Sequence, residues 1–278
     1  MKDNEAKVLE LTIPAERQKL LDALSEKFNP EGSKLRRYQQ HLTKVLVEFD
    51  EFCREHGIQY YLAYGTLLGA IRHKGFIPWD DDADLWMDRD NYNKLEKLMR
   101  GEHHELTDTL SVAMGIRPEI WAPPYADIDI FILDGCPDSK FLACLKEWLI
   151  RFIYVMIKVS GRADTKEWGK YKKMRFLVPI AKLHNLDVWK EKYTRVSQWC
   201  PFAKNTKRIQ CYNETMSGLH RKYSREVISE TLLAEFDGHM FPIPVGYDEV
   251  LRECYHDYMQ IPDENIIHVH GTMNNIDI

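Results

Sequence analysis

The sequence has no Cys-x-x-Cys pair: its 6 cysteines, Cys53, Cys136, Cys144, Cys200, Cys211 and Cys254, stand apart, which removes the zinc knuckle and the thioredoxin-type dithiol as readings. It also lacks an excess of positive charge. With a formal net charge of -5, the chain has no overall basic field for wrapping nucleic acid, and no nucleic-acid partner is expected. Long uninterrupted apolar runs are missing too. The longest greasy stretch, Phe141 to Val159, is broken by Lys146, Glu147, Arg151 and Lys158, short of the ~20 mostly apolar residues that cross a bilayer. Lys2, Asp3, Glu5, Lys7 and Glu10 interrupt the first eleven residues, so no export signal is expected there, and scattered thiols suit a reducing cytosol. Repeats and low-complexity segments are absent.

What is present is core material. Apolar residues make up 44% of the 278, enough for one large domain or two small ones and too much for a disordered chain. The spacing predicts a short helix over Pro14 to Phe28, a longer one from an N-cap at Ser33 to His56, and a strand over Gln59 to Tyr64 that enters a glycine turn at Gly65-Thr66 and then a helix. A loop, Arg72 to Trp79, leads to a strand beginning within Asp80 to Met87. A helix is expected from Asp90 to Arg100, and a strand over Ala126 to Leu133 closed by an Asp134-Gly135 turn. Ser139 to Trp199 reads as mostly helical with breaks near Gly161 and Pro179. Within it Glu147, Arg151 and Lys158 share one helical face, the mark of an amphipathic helix whose other sides meet protein or a bilayer surface. The last expected helix is Tyr247 to about Met259.

Chemistry concentrates in two strands. Asp82 and Asp84, two positions apart, project from one face of a strand, the arrangement that grips a hard cation. A third carboxylate from a neighbouring strand would complete a phosphoryl-transfer site, and Asp129, less so Asp127, is its candidate, because a charge between isoleucines needs compensation. Acidic runs usually just face water. This one is flanked by Pro78, Trp79, Ala83, Leu85, Trp86 and Met87, residues that prefer the interior. Gly65 and Thr66 offer backbone N–H groups and a hydroxyl to a phosphate.

The run Tyr64-Gly65-Thr66-Leu67-Leu68-Gly69-Ala70-Ile71-Arg72-His73-Lys74-Gly75-Phe76-Ile77-Pro78-Trp79-Asp80-Asp81-Asp82-Ala83-Asp84 resembles the hallmark of the LicD-type phosphotransferases, a group that includes bacterial phosphocholine transferases and is related to the fukutin-type ribitol-phosphate transferases. Cys53 to Ile58, Arg89 to Tyr92, Asp129 to Gly135 and Ile243 to Asp248 are similar to further family blocks, so the resemblance runs from about Leu35 to Pro262. It implies an α+β, nucleotidyltransferase-like fold, with a small mixed sheet carrying the metal-binding carboxylates and extra helices around it. Residues 1–33 would be an N-terminal helical attachment, and 34–278 the domain, with a helical insertion over about 139–200.

By the same resemblance, Asp82, Asp84 and Asp129 would hold Mg2+ or Mn2+ and carry catalysis. Gly65, Thr66, Arg72, His73, Lys74 and Asp81 would meet the donor, the basic three by neutralising its diphosphate. The implied reaction moves a phospho-alcohol, phosphocholine or similar, from a CDP-activated donor to a hydroxyl of a cell-surface glycan or glycolipid precursor, releasing CMP. True transfer of NMP, or a carbohydrate-binding module without catalysis, are the alternatives. The enzyme would be cytoplasmic, at the inner face of the membrane, with Phe141 to Val159 as its contact surface. An aromatic cage for a quaternary ammonium could draw on Trp121, Tyr125, Trp148, Tyr154, Trp168 and Tyr171. The chain departs from the family pattern at Ile132, often proline in relatives, at His256, usually glycine, and at Asp237, where Glu is commoner.

Overall fold

The computed structural model describes residues 6–101, 128–163, 169–202, 205–212 and 218–263. They form two compact units: one built from residues 1–106, 117–130 and 226–278, the other from residues 107–116 and 131–225. Both mix helices and sheet, an α+β composition.

In the first unit, β1 (Lys7–Val8) precedes two helices, α1 (Ala15–Phe28) and α2 (Lys34–Glu55). The capping signal at Ser33 is used as expected: its hydroxyl accepts the Arg36 N–H at 3.0 Å. Leu35, Tyr38, Leu42, Val45, Leu46, Phe49 and Cys53 recur at helical spacing along α2 and are all buried. Strand β2 (Tyr61–Leu62) pairs antiparallel with β3 (Ala83–Asp88), Tyr61 opposite Trp86 and Leu62 opposite Leu85. The expected strand over Gln59 to Tyr64 is thus shorter, and no separate glycine turn follows it. Helix α3 (Tyr64–Arg72) starts at once, with Ala63 as its cap. Tyr64, at φ 40°, makes the sharp change of direction, while Gly65 lies inside the first helical turn. A non-glycine residue at positive φ is costly and persists only where its surroundings fix it; Tyr64 is 8% exposed and packs edge-on against Trp86 at 5.6 Å.

After β3 comes α4 (Arg89–Gly101); in strand order β3 is followed by β4 (Ile128–Cys136), whose first three residues complete this part of the sheet. A second sheet holds β1 parallel to β7 (Thr231–Phe236) and β7 antiparallel to β8 (His239–Pro244), and helix α8 (Tyr247–Tyr255) ends the described fold. Its end corrects the expected Met259.

The second unit contains the rest of β4, paired antiparallel with β5 (Arg208–Cys211), which pairs in turn with β6 (Tyr223–Ser224). Asp134 and Gly135 lie inside β4 opposite Gln210 and Ile209, so the expected turn is absent: a pairing partner outweighed the local turn signal. Glycine is needed at 135 for another reason. A Cβ there would sit 2.6 Å from the Cys200 and Pro201 carbonyl oxygens.

Around this sheet fold α5 (Lys140–Ser160), a 3-10 stretch Gly169–Leu177, α6 (Val178–Ala181) and α7 (Leu186–Ser197). Ile150, Ile153, Met156, Ile157, Ala181, Trp189 and Tyr193 make their common core. The charged face of α5 corrects the sequence expectation, since it turns inward. Lys146 is fully buried and donates to the Gly135 and Ser197 carbonyls at 2.9 and 2.8 Å; Glu147 pairs with Lys222; Lys158, 4% exposed, lies 5.1 Å from the Tyr154 ring. Each charge is compensated where it is buried. The side left to solvent carries Phe141, Leu142 and Trp148. Among the described residues no helix is long and apolar enough to cross a membrane.

His256 caps α8 at φ 56°, ψ -109°, a backbone region that suits glycine, which accounts for the glycine usual at this position. His256→Gly is therefore expected to raise stability by about 1 kcal/mol in urea unfolding. A loss of stability would show that the histidine side chain holds this corner.

Candidate active site

The loop after α3 brings carboxylates together from two strands. One ligand oxygen from each of Asp82, Asp84 and Asp129 lies within 4.8 Å of the others. Asp84 stands in β3 with its backbone fixed on both sides: its N–H donates to the Thr66 hydroxyl at 2.8 Å, and its carbonyl accepts the Ala63 N–H at 2.9 Å. Asp129 enters from β4, is 8% exposed, and sits between Ile128 and Ile130, each 1% exposed. Period-two alternation does what the sequence implied: neighbours fill the core while the carboxylates share the other face.

The electrostatics are those of an overcrowded anionic pocket. Burial, then the charges of Asp82, Asp129 and Asp80, hold the Asp84 carboxyl well above the usual carboxylate range, opposed by a hydrogen bond from the Gly65 N–H. Asp80 is raised for the same reasons, burial first and then the neighbouring Asp82, with which it shares a hydrogen bond. Sequence reasoning read Asp80 only as part of the acidic run; the structure makes it a fourth carboxylate of the cluster. A cation is the partner that such a set favours.

Gly65 is placed where the sequence put it, against these carboxylates. A Cβ at 65 would fall 2.6 Å from Asp80 Oδ2 and 3.7 Å from Asp84 Oδ2, so glycine admits the acids beside the helix start. Thr66 is 2% exposed and accepts the Asp84 N–H, which makes it a support for the metal strand as well as a candidate phosphate contact. Asp81 is fully buried.

The basic trio is engaged elsewhere. Arg72, 4% exposed, donates to the carbonyls of Tyr258 and Gln260 at 2.9 and 3.0 Å, tying the C-terminal segment to α3. Burial and the adjacent Arg72 push the His73 imidazole down to about 3, so it is neutral and offers a diphosphate no charge. Lys74 pairs with Glu235 at 3.0 Å. The donor-neutralising role expected of these three therefore has no support in their contacts.

A residue missed in the sequence does position the site. Gln39, 1% exposed on α2, donates to the Ile77 and Asp80 carbonyls at 3.1 and 2.8 Å and accepts from Asn29 at 2.8 Å, clamping the loop that carries the acids. A buried glutamine on an apolar helix face was the available signal. Trp79, half-buried, packs edge-on against Phe28 at 5.6 Å. Of the other candidates, Asp127, Trp121, Tyr125 and Trp168 lie outside the described residues. Trp148 stacks on Phe152 and Tyr154 lies beneath Lys158, so those two do not converge on one cage.

A family model described as the LicD/FKTN/FKRP nucleotidyltransferase domain matches residues 57–117, a span that holds Gly65, Thr66, Asp80, Asp82 and Asp84. The chain is 29% identical over 266 residues to the lipopolysaccharide cholinephosphotransferase LicD of Haemophilus influenzae, covering 83% of this chain and 93% of that protein. A shorter match, 40% identical over 52 residues, joins it to the ribitol 5-phosphate transferase FKRP of Homo sapiens, covering 19% of this chain and 10% of that protein.

Crowding of the carboxylates makes a direct thermodynamic statement. A folded-state carboxyl held above its unfolded value destabilises the protein near neutral pH, where its charge must be kept in the folded state. Asp84→Asn is expected to raise stability in chelator by about 1 kcal/mol, read as a higher melting temperature, and to weaken the further rise expected of Mn2+ on the wild type. Calorimetry with and without the metal reads both; a lower melting temperature in chelator would mean that the charge is compensated within the protein.

Proposed function

We propose that the chain is a member of the LicD family and a metal-dependent transferase of nucleotidyltransferase-like fold, moving a phospho-alcohol from a CDP-activated donor to a glycan hydroxyl with release of CMP. The observation that carries this reading is the meeting of Asp82, Asp84 and Asp129 within 4.8 Å, beside the helix start at Gly65. Phosphocholine is the first candidate group, from the name of the Haemophilus relative, and a lipopolysaccharide or capsule precursor the first candidate acceptor.

The three carboxylates fit Mg2+ or Mn2+: all their donors are oxygens, and their mutual repulsion is relieved by a divalent charge. Such a cation would supply Lewis-acid stabilisation of the charge that builds on the phosphoryl oxygens. The chain's own residues do the rest. Gly65 and its neighbouring backbone would meet the donor phosphates at the N-terminal end of α3, where N–H groups point outward. Asp129 would take the proton of the acceptor hydroxyl. The acceptor oxygen then bonds to the phosphorus bearing the alcohol, the bond from that phosphorus to the bridging oxygen breaks, and the electron pair leaves with CMP. Gln39 and Thr66 keep the acids in register for this step. On this reading the reaction would run in the cytoplasm at the inner face of the membrane, where a lipid-linked glycan precursor would be presented.

Incubation with CDP-choline, CDP-ethanolamine, CDP-glycerol and CDP-ribitol, with and without Mn2+, tests the reading. One donor should yield free CMP in a metal-dependent way, and Asp82→Ala should cut the rate at least ~1,000-fold while leaving the fold intact by circular dichroism. Full turnover by that variant would overturn the site. A product carrying the nucleotide itself would replace phospho-alcohol transfer by nucleotidyl transfer.

A further inference from the structure

The helical unit carries a second feature, unrelated to its core. From Gly169 to Leu186 the sequence has Lys170, Lys172, Lys173, Arg175 and Lys182 and no acidic residue, in a chain whose net charge is -5. The structure turns this stretch into a continuous helical path, the 3-10 segment Gly169–Leu177 running into α6. One side of it is spent on the core: Met174, Leu177, Val178 and Ala181 pack with Ile150, Met156 and Trp189, and Trp189 Nε1 donates to the Ala181 carbonyl at 2.8 Å.

The exposed remainder should be polar, and part of it is not. Phe176 in the 3-10 stretch, Ile180 in α6 and Leu183 just past its end lie within eight residues of one another, and they are 75%, 42% and 72% exposed. Lys172, Lys173, Arg175 and Lys182 of the same stretch are exposed as well. Single exposed apolar residues are ordinary; an aromatic and two branched aliphatics exposed within eight residues, on a stretch whose charged residues are all basic, are not.

We propose that this face, Phe176, Ile180 and Leu183 with Lys172, Lys173, Arg175 and Lys182, docks the protein on an anionic phospholipid surface. Charge complementarity selects that occupant: the cations match lipid phosphates, each adding attraction at a negative surface, and the three apolar side chains reach the acyl boundary between them. The exposed apolar side of α5, with Phe141, Leu142 and Trp148, belongs to a helix that carries charge of both signs, Lys140, Lys146, Glu147, Arg151 and Lys158. This inference deepens the membrane placement given above, but it uses none of the transfer chemistry and is read without turnover.

Flotation of the full chain with vesicles tests it. The protein should float with equal parts phosphatidylcholine and phosphatidylglycerol, stay behind with phosphatidylcholine alone, and dissociate as salt rises. Lys172→Gln with Lys173→Gln should weaken binding at least about tenfold, and Phe176→Ser with Leu183→Ser should do so independently, with unchanged melting temperatures and unchanged CMP release from the soluble donor. Phe141→Ser with Trp148→Ser should leave binding intact. No binding to the anionic vesicles, binding indifferent to both pairs, or binding lost only in the Phe141/Trp148 variant would overturn the proposal. So would dimers in sedimentation that Phe176→Ser with Leu183→Ser abolishes, with no change in flotation.

Discussion

Electrostatic repulsion among Asp80, Asp82, Asp84 and Asp129 is the constraint around which the first unit is arranged. Carboxylates this close in a poorly solvated place cost free energy, and the surrounding residues serve to keep them there. Gly65 leaves room for them beside α3; Thr66 and Ala63 fix the backbone of Asp84; Gln39 fixes that of Asp80. Tyr64 accepts a positive φ so that α3 can begin directly opposite the acids. On the proposed reading, the same crowding would favour a divalent cation, and stability given up in the metal-free protein would reappear as affinity.

The second unit follows a different logic. Its buried charges are each satisfied locally, as with Lys146 on two carbonyls and Glu147 on Lys222, so they act as internal fasteners of a helical layer. Several of its apolar and basic side chains lie outside. Beside an ordinary apolar core, this unit leaves several large hydrophobic side chains exposed, and over Gly169 to Leu183 they stand among basic residues.

Much of this was legible in the residues. The Ser33 cap, the α2 stripe, the period-two placement of Asp82 and Asp84, and the cost of Asp129 among isoleucines depend on local spacing, and local spacing survives folding. What misled was tertiary. Asp134-Gly135 is a turn by composition and a strand by pairing with β5; the glycine there answers a close approach of backbone at Cys200 and Pro201. Arg72, His73 and Lys74 flank the acids in sequence; what the sequence did not show is that Arg72 bonds the C-terminal segment, Lys74 pairs with Glu235 of β7, and burial keeps His73 neutral. The inward charges of α5 had the right periodicity but nothing in the sequence said which face the core would cover. Gln39 and Asp80 were overlooked because their roles depend on a loop that periodicity does not describe.

The central claim is that the acidic cluster is a divalent cation site, and anomalous scattering from Mn2+-soaked crystals tests it most directly. The account predicts anomalous density bounded by Asp82, Asp84 and Asp129, present in the wild type and lost in Asp129→Asn. Ordered Mn2+ elsewhere on the protein with none among these carboxylates, at saturating metal, would contradict it.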